Sequence, residues 1–93
     1  MISYEITAEV RADLIEKFES FMQEKHIPDL IKTGCFENAK YQKISAGNFR
    51  ICYLAKTREK LNTYLKLNAE DLRQDFIDNF PEGIKISREI IEK

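Results

Sequence analysis

The chain has 93 residues, 43% of them hydrophobic and 33% charged, with 15 Lys+Arg against 16 Asp+Glu. This is the composition of one globular domain over residues 1–93; it excludes disordered, collagenous and coiled-coil chains, and a net charge of -1 removes a strongly basic nucleic-acid binder. No apolar run approaches the ~18 residues of a membrane span, and no signal peptide precedes the first periodic segment, so a cytoplasmic protein is expected.

Ile2 to Val10 alternates strictly, with Ile2, Tyr4, Ile6, Ala8 and Val10 on one side and Ser3, Glu5, Thr7 and Glu9 on the other. Period two over such a run predicts a half-buried strand. From about Arg11 to Lys25 the period changes: Leu14, Ile15, Phe18, Phe21 and Met22 follow the spacing of an amphipathic helix. Pro28 lacks an N–H and restrains Ile27, so it stops or resets the backbone. Asp29 to Thr33 then fits one more helical turn, closed by Gly34 as a C-terminal cap.

Cys35 to Ser45 and Phe49 to Lys56 read as two strands around a Gly47-Asn48 turn. With that two-residue loop Ile44 faces Ile51 and Gln42 faces Tyr53, which places Tyr41, Cys52 and Leu54 on the opposite side of the sheet; a one-residue slip would exchange the faces. Thr57 is suited to cap a long helix running to about Asn79, in which Leu61, Tyr64, Leu65, Ala69, Leu72 and Phe76 recur every three or four residues. Pro81-Glu82-Gly83 breaks it, and Ile84 to Ile91 closes the order as a fourth strand.

The order β-α-β-β-α-β with right-handed crossovers predicts a ferredoxin-like α+β fold, a four-stranded antiparallel sheet with two helices on one face. The other face is left open. An apolar strip of Tyr41, Cys52, Leu54 and Ile91 there suits a homodimer interface, with Lys43 and Arg50 as a polar rim able to reach Glu5 or Glu9 of a second copy.

Chemistry-bearing residues are few. His26, the only histidine, ends the first helix beside Pro28 and Asp29. Oriented by Asp29 it would be a general base, or it would ligate a haem; without a second histidine the plainer expectation is a helix-terminal group that packs locally. Cys35 and Cys52 lie too far apart along the hairpin for a disulfide, which needs Cα atoms within ~7 Å, and they read as small buried hydrophobes in a reducing compartment. Scattered Cys, His and carboxylate positions lack the short ligand spacings of a zinc site. The acidic residues of the first strand repel phosphate, so an RNA-binding sheet is set aside. No phosphate-binding glycine loop or nucleophile elbow is present, and no cofactor is expected.

His26-Ile27-Pro28-Asp29, Thr33-Gly34-Cys35-Phe36 and Tyr53-Leu54-Ala55-Lys56, then Ala69, Leu72, Arg73 and Ser87-Arg88, resemble in order a family of short uncharacterised bacterial proteins, a domain of unknown function. The resemblance implies a ferredoxin-like fold related to the dimeric α/β barrels. It carries no established catalytic residues. Asn68 stands where many members have histidine, Glu70 where they have proline and Lys56 where they have an acid, so no role that needs that histidine transfers.

Two functions follow from these readings. One is a non-catalytic homodimer that binds a small molecule in a cleft between sheet and helices, with His26, Asp29 and Tyr53 as candidate ligand contacts and Tyr41, Cys52 and Leu54 as the dimer interface. The other is a cofactor-independent monooxygenase or isomerase of the dimeric α/β barrel type. A cavity with convergent polar groups favours the second, and a filled core the first.

Overall fold

The computed structural model describes residues 1–92. Strand β1 (Ile2–Val10) leads through a single tight turn at Ala12–Leu14 into α1 (Ile15–Phe21), a π turn at Met22–His26 and α2 (Ile27–Lys32). Strands β2 (Asn38–Ser45) and β3 (Asn48–Ala55) form the hairpin, helices α3 (Arg58–Leu67) and α4 (Ala69–Asn79) follow, and β4 (Ile84–Glu92) ends the described chain. The sheet order is β2-β3-β1-β4 with every pairing antiparallel, which is the ferredoxin-like arrangement expected from the sequence.

The alternation of β1 sets the faces as its pattern dictates, but only Thr7 and Glu9 of the polar side are exposed, while Ser3 and Glu5 are buried as well. Tyr4, Ala8 and Val10 enter the core with Phe49, Ile51, Tyr53 and Ala55 of β3, under Phe18, Met22, Leu30, Leu61 and Tyr64 from the helices. Phe18 is central, its ring 5.0 Å from that of Phe49 and 6.1 Å from that of Phe80. Burial of these side chains, worth ~25 cal/mol per Å² of apolar surface, holds the helices to one face.

Pro28 resets the helix rather than stopping it. An ordinary helical turn there would require the missing Pro28 N–H and press the ring on the carbonyl of Glu24. The chain instead widens by one residue, the Ile27 N–H reaching back to the Met22 carbonyl, and continues to Lys32. Gly34, with φ +77°, closes it as expected.

The hairpin register differs from expectation. The two-residue loop is Ala46-Gly47, with Ser45 across from Asn48, and Ile44 is the extra residue of a bulge between Lys43 and Ser45. Tyr41, not Ile44, therefore stands across from Ile51. The shift is odd, so β2 presents its other side to the helices: Tyr41 stacks 5.8 Å from Phe49 and packs against the core, while Ile44 is 61% exposed. Tyr41 accordingly leaves the predicted open-face strip, and Lys43 leaves its rim, lying over the Phe49 ring at 6.0 Å. The open face retains Cys52, Leu54 and Ile91: Leu54 and Ile91 flank Ser3, and Cys52 flanks Glu5. The Arg50 guanidinium binds the buried Glu5 carboxylate of its own chain, and so is engaged without a second copy.

Gly47 explains why the loop sits where it does. Its φ is +79°, its carbonyl accepts the Val10 N–H at 2.7 Å, and a Cβ there would meet the Val10 carbonyl oxygen at 2.8 Å. Gly47→Ala is expected to lower stability by about 1–2 kcal/mol, combining left-handed backbone strain with loss of this clamp. Urea unfolding checks it; an unchanged midpoint would show that the hairpin tip can move away from β1 freely.

Thr57 caps α3 as predicted, its hydroxyl accepting the Lys60 N–H at 3.2 Å. The expected single long helix is, however, two. Asn68 leaves helical geometry with φ -121°, and the chain turns there into α4, with Ala69 buried at the bend. Asn tolerates such a break because its short polar side chain competes for backbone hydrogen bonds.

Candidate functional site

The α1–α2 segment, α4 and the β1–β4 side of the sheet do not close completely on one another. Between them lies a cavity of about 230 Å³. Phe18, Ile51 and Tyr53 are buried at its floor, while Arg73, Ile77, Pro81 and Arg88 are exposed residues at its mouth. Tyr4, Tyr64, His26 and Phe76 line the walls.

His26 is held between two rings, stacked on Phe21 at 5.6 Å and edge-on to Phe76 at 5.7 Å. Its Nδ1 atom is buried and makes no hydrogen bond within the described residues, and the buried Tyr53 hydroxyl makes none either. Buried polar atoms are ordinarily paired, which sets these two cavity-lining groups apart, with the Tyr41 hydroxyl outside the cavity, from the rest of the interior. Burial drives the His26 pKa down from 6.5 to about 4, against a weaker upward pull from Asp75 and Asp29. At neutral pH the imidazole is therefore uncharged, with one nitrogen available to accept a hydrogen bond. Burial likewise raises the Tyr53 and Tyr64 phenols above their ordinary 10, so both remain protonated.

The sequence placed His26, Asp29 and Tyr53 together. His26 and Tyr53 do line the cavity, but Asp29 is absent from its lining; its carboxylate takes the Lys25 ammonium at 3.1 Å. The π turn is the cause, because widening the helix at His26 rotates the residues after it away from the position that an ordinary helix would give them. Lys25 also reaches Asp75 of α4 at 2.7 Å, tying the two helical segments together beside the cavity. Arg73, whose Nη2 donates to the Tyr4 hydroxyl at 3.3 Å, and Arg88 stood out in the sequence only as residues of the family resemblance, with no site role attached. Each sits on an element whose polar residues read as a solvated face. Cys35 and Cys52 are both free, with Cys35 buried and Cys52 half-buried. Among the described residues no three His, Cys, Asp or Glu side chains come together as metal ligands, and no helix is long and apolar enough to cross a membrane.

A ferredoxin-like sheet with a largely apolar, aromatic-walled cavity beneath its helices is the class of protein this geometry defines. The sequence matches, over residues 1–93, the family described as Domain of unknown function (DUF4286), and the chain belongs to that family. No curated protein matches it. Among solved structures it is similar to a proposed antibiotic biosynthesis monooxygenase from Nitrosomonas europaea, at TM-score 0.71 and 16% identity over 100% of this chain and 98% of the other. A second proposed antibiotic biosynthesis monooxygenase, from Deinococcus radiodurans, is similar at TM-score 0.62 and 14% identity, over 100% and 92%. A de novo designed protein with a ferredoxin fold matches at TM-score 0.56 and 22% identity, over 100% and 88%. At such identities the likeness is one of fold.

Proposed function

We propose that this chain binds a small, largely aromatic molecule in the cavity between sheet and helices, as a cytoplasmic homodimer paired through the open face carrying Cys52, Leu54 and Ile91. The observation that carries the binding role is the cavity itself, where the unpartnered His26 Nδ1 and Tyr53 hydroxyl meet a wall of rings. Two free thiols suit a reducing compartment. The acidic side chains of Glu5, Glu9 and Glu89 on the open face argue against a nucleic-acid partner.

Ile86 is half-buried on β4, lines the cavity and packs on the core from its margin, so enlarging it fills the space from the rim. The wild-type chain should bind 2-naphthamide in a calorimetric titration, and Ile86→Trp should bind it at least tenfold more weakly, about 1.4 kcal/mol or more, with an unchanged circular dichroism spectrum. Equal affinity in both proteins would place the ligand elsewhere and refute the proposal.

A second reading, a monooxygenase or isomerase working without a resident cofactor, is favoured by the convergence of His26, Tyr53 and Tyr64 in one pocket and by the named activity of the fold neighbours. Aerobic incubation with 2-naphthol separates the two. A binding protein returns the probe unchanged, oxygen uptake that disappears in His26→Gln marks a monooxygenase, and a product of unchanged mass formed without oxygen uptake marks an isomerase.

A further inference from the structure

We infer that the cavity selects planar aromatic carboxylates, with the carboxylate held between the Arg73 and Arg88 guanidinium groups at the mouth and the ring lying on the aromatic walls. This inference rests on the reading of the cavity as a binding site and specifies the ligand's chemistry.

The mouth carries charge of one sign. Arg73 comes from α4 and Arg88 from β4, where it lies across from Ile6 of β1. Both line the cavity, yet none of the chain's 16 acidic residues does. Asp29 and Asp75, which reach His26 through their charge, are both engaged by Lys25. Arg88 forms no ion pair or hydrogen bond among the described residues, and Arg73 gives one donor to the Tyr4 hydroxyl and keeps its others. In a protein of nearly balanced charge, two guanidinium groups without an acid at the rim of a pocket call for an anion from outside.

Their geometry narrows the anion. A guanidinium fork pairs with a planar carboxylate through parallel hydrogen bonds, a match that a point charge cannot make. The cavity narrows the rest of the molecule. At about 230 Å³ it falls below the ~300 Å³ at which pockets for drug-sized ligands begin, leaving room for about one or two fused rings. Phe18, Phe76, Phe80, Tyr4 and Tyr64 offer those rings offset-stacked and edge contacts. Deeper in, the neutral His26 imidazole on the wall and the Tyr53 hydroxyl at the floor are without partners, a pair suited to a hydroxyl on the ring's far side.

The test compares 2-naphthoate with 2-naphthamide, which share a shape and differ in charge, by calorimetric titration of the full chain at pH 7. Naphthoate should bind at least about tenfold tighter, as charge-assisted hydrogen bonds outweigh neutral ones by that order. Arg73→Gln and Arg88→Gln should each weaken naphthoate about tenfold more than they weaken naphthamide, whose remaining binding reports that fold and cavity are intact. Equal affinities in the wild type, or a charge preference that survives the double glutamine variant, would overturn the carboxylate assignment and leave the cavity as a binding site. No binding of either probe would overturn both.

Discussion

Between pH 7 and pH 4.5 the wild-type chain should lose about 2 kcal/mol more stability than a His26→Gln variant. The His26 imidazole is desolvated between Phe21 and Phe76, and this burial is the largest cause of its fall from 6.5 to about 4; Lys25 and Arg88 push the same way, while Asp75 and Asp29 oppose. In the unfolded chain the same group titrates near 6.5. As pH falls through that value the unfolded state takes up a proton that the folded state refuses until pH approaches about 4. Stability is thus full above 6.5 and drains away between the two pKa values, by about 3 kcal/mol at most at 1.36 kcal/mol per unit. The acidic residues titrate in both proteins, so the difference between two urea-unfolding series isolates His26. Parallel pH profiles would mean that water or a mobile Phe21 keeps the ring solvated. At pH 7 the substitution itself should cost no more than ~1–2 kcal/mol, the ordinary range for a partly buried side chain that contributes packing rather than charge.

Strand and helix were legible where periodicity is unambiguous. The nine residues of β1 alternate because one side of that strand meets helices, and Gly34 marks the helix end because a left-handed residue is needed there. Two features left no such trace. Gly47 signals a turn, but it serves equally as the first or second residue of a two-residue loop, and the bulge that sets Ile44 outside the core has no composition of its own. That ambiguity is small in sequence and large in space, since it moves Tyr41 across the sheet. The cavity escaped for another reason. It exists where side chains of α1, α4, β1 and β4 fail to meet, and no single segment records that failure. His26 could be found because it is unique. Arg73 and Arg88 entered only through the family resemblance, which assigned them no role, and periodicity could not add one, because an arginine at a cavity mouth and one on a wet surface occupy the same phase of helix or strand.

Static light scattering at micromolar concentration should give a mass near 22 kDa for the wild-type chain, twice its 11.0 kDa, and near 11 kDa for Leu54→Asp. The register places Leu54 and Ile91 on either side of Ser3 on the sheet face that carries no helix. Ser3 is 2% exposed and Glu5 6% exposed even in one copy, so this end of the face already forms a dense surface and not a solvated fringe. Removing Tyr41 and Lys43 from the strip reduces its apolar width and leaves an engaged Arg50–Glu5 pair beside it; exposed Lys40, across from Cys52, and Glu89, across from Glu5, are the charges that a second copy has to pair or leave at the rim. A standard interface buries ~800 Å² on each partner, and at ~25 cal/mol per Å² its apolar part must exceed the cost of joining two bodies. An aspartate at Leu54 would carry an unpaired carboxylate into that contact, a penalty of several kcal/mol that the open face of a monomer does not suffer. The variant should therefore separate into folded monomers with an unaltered cavity, still binding 2-naphthamide. A wild-type mass near 11 kDa, or a Leu54→Asp mass still near 22 kDa, would show that the open face of the sheet is not where two copies meet.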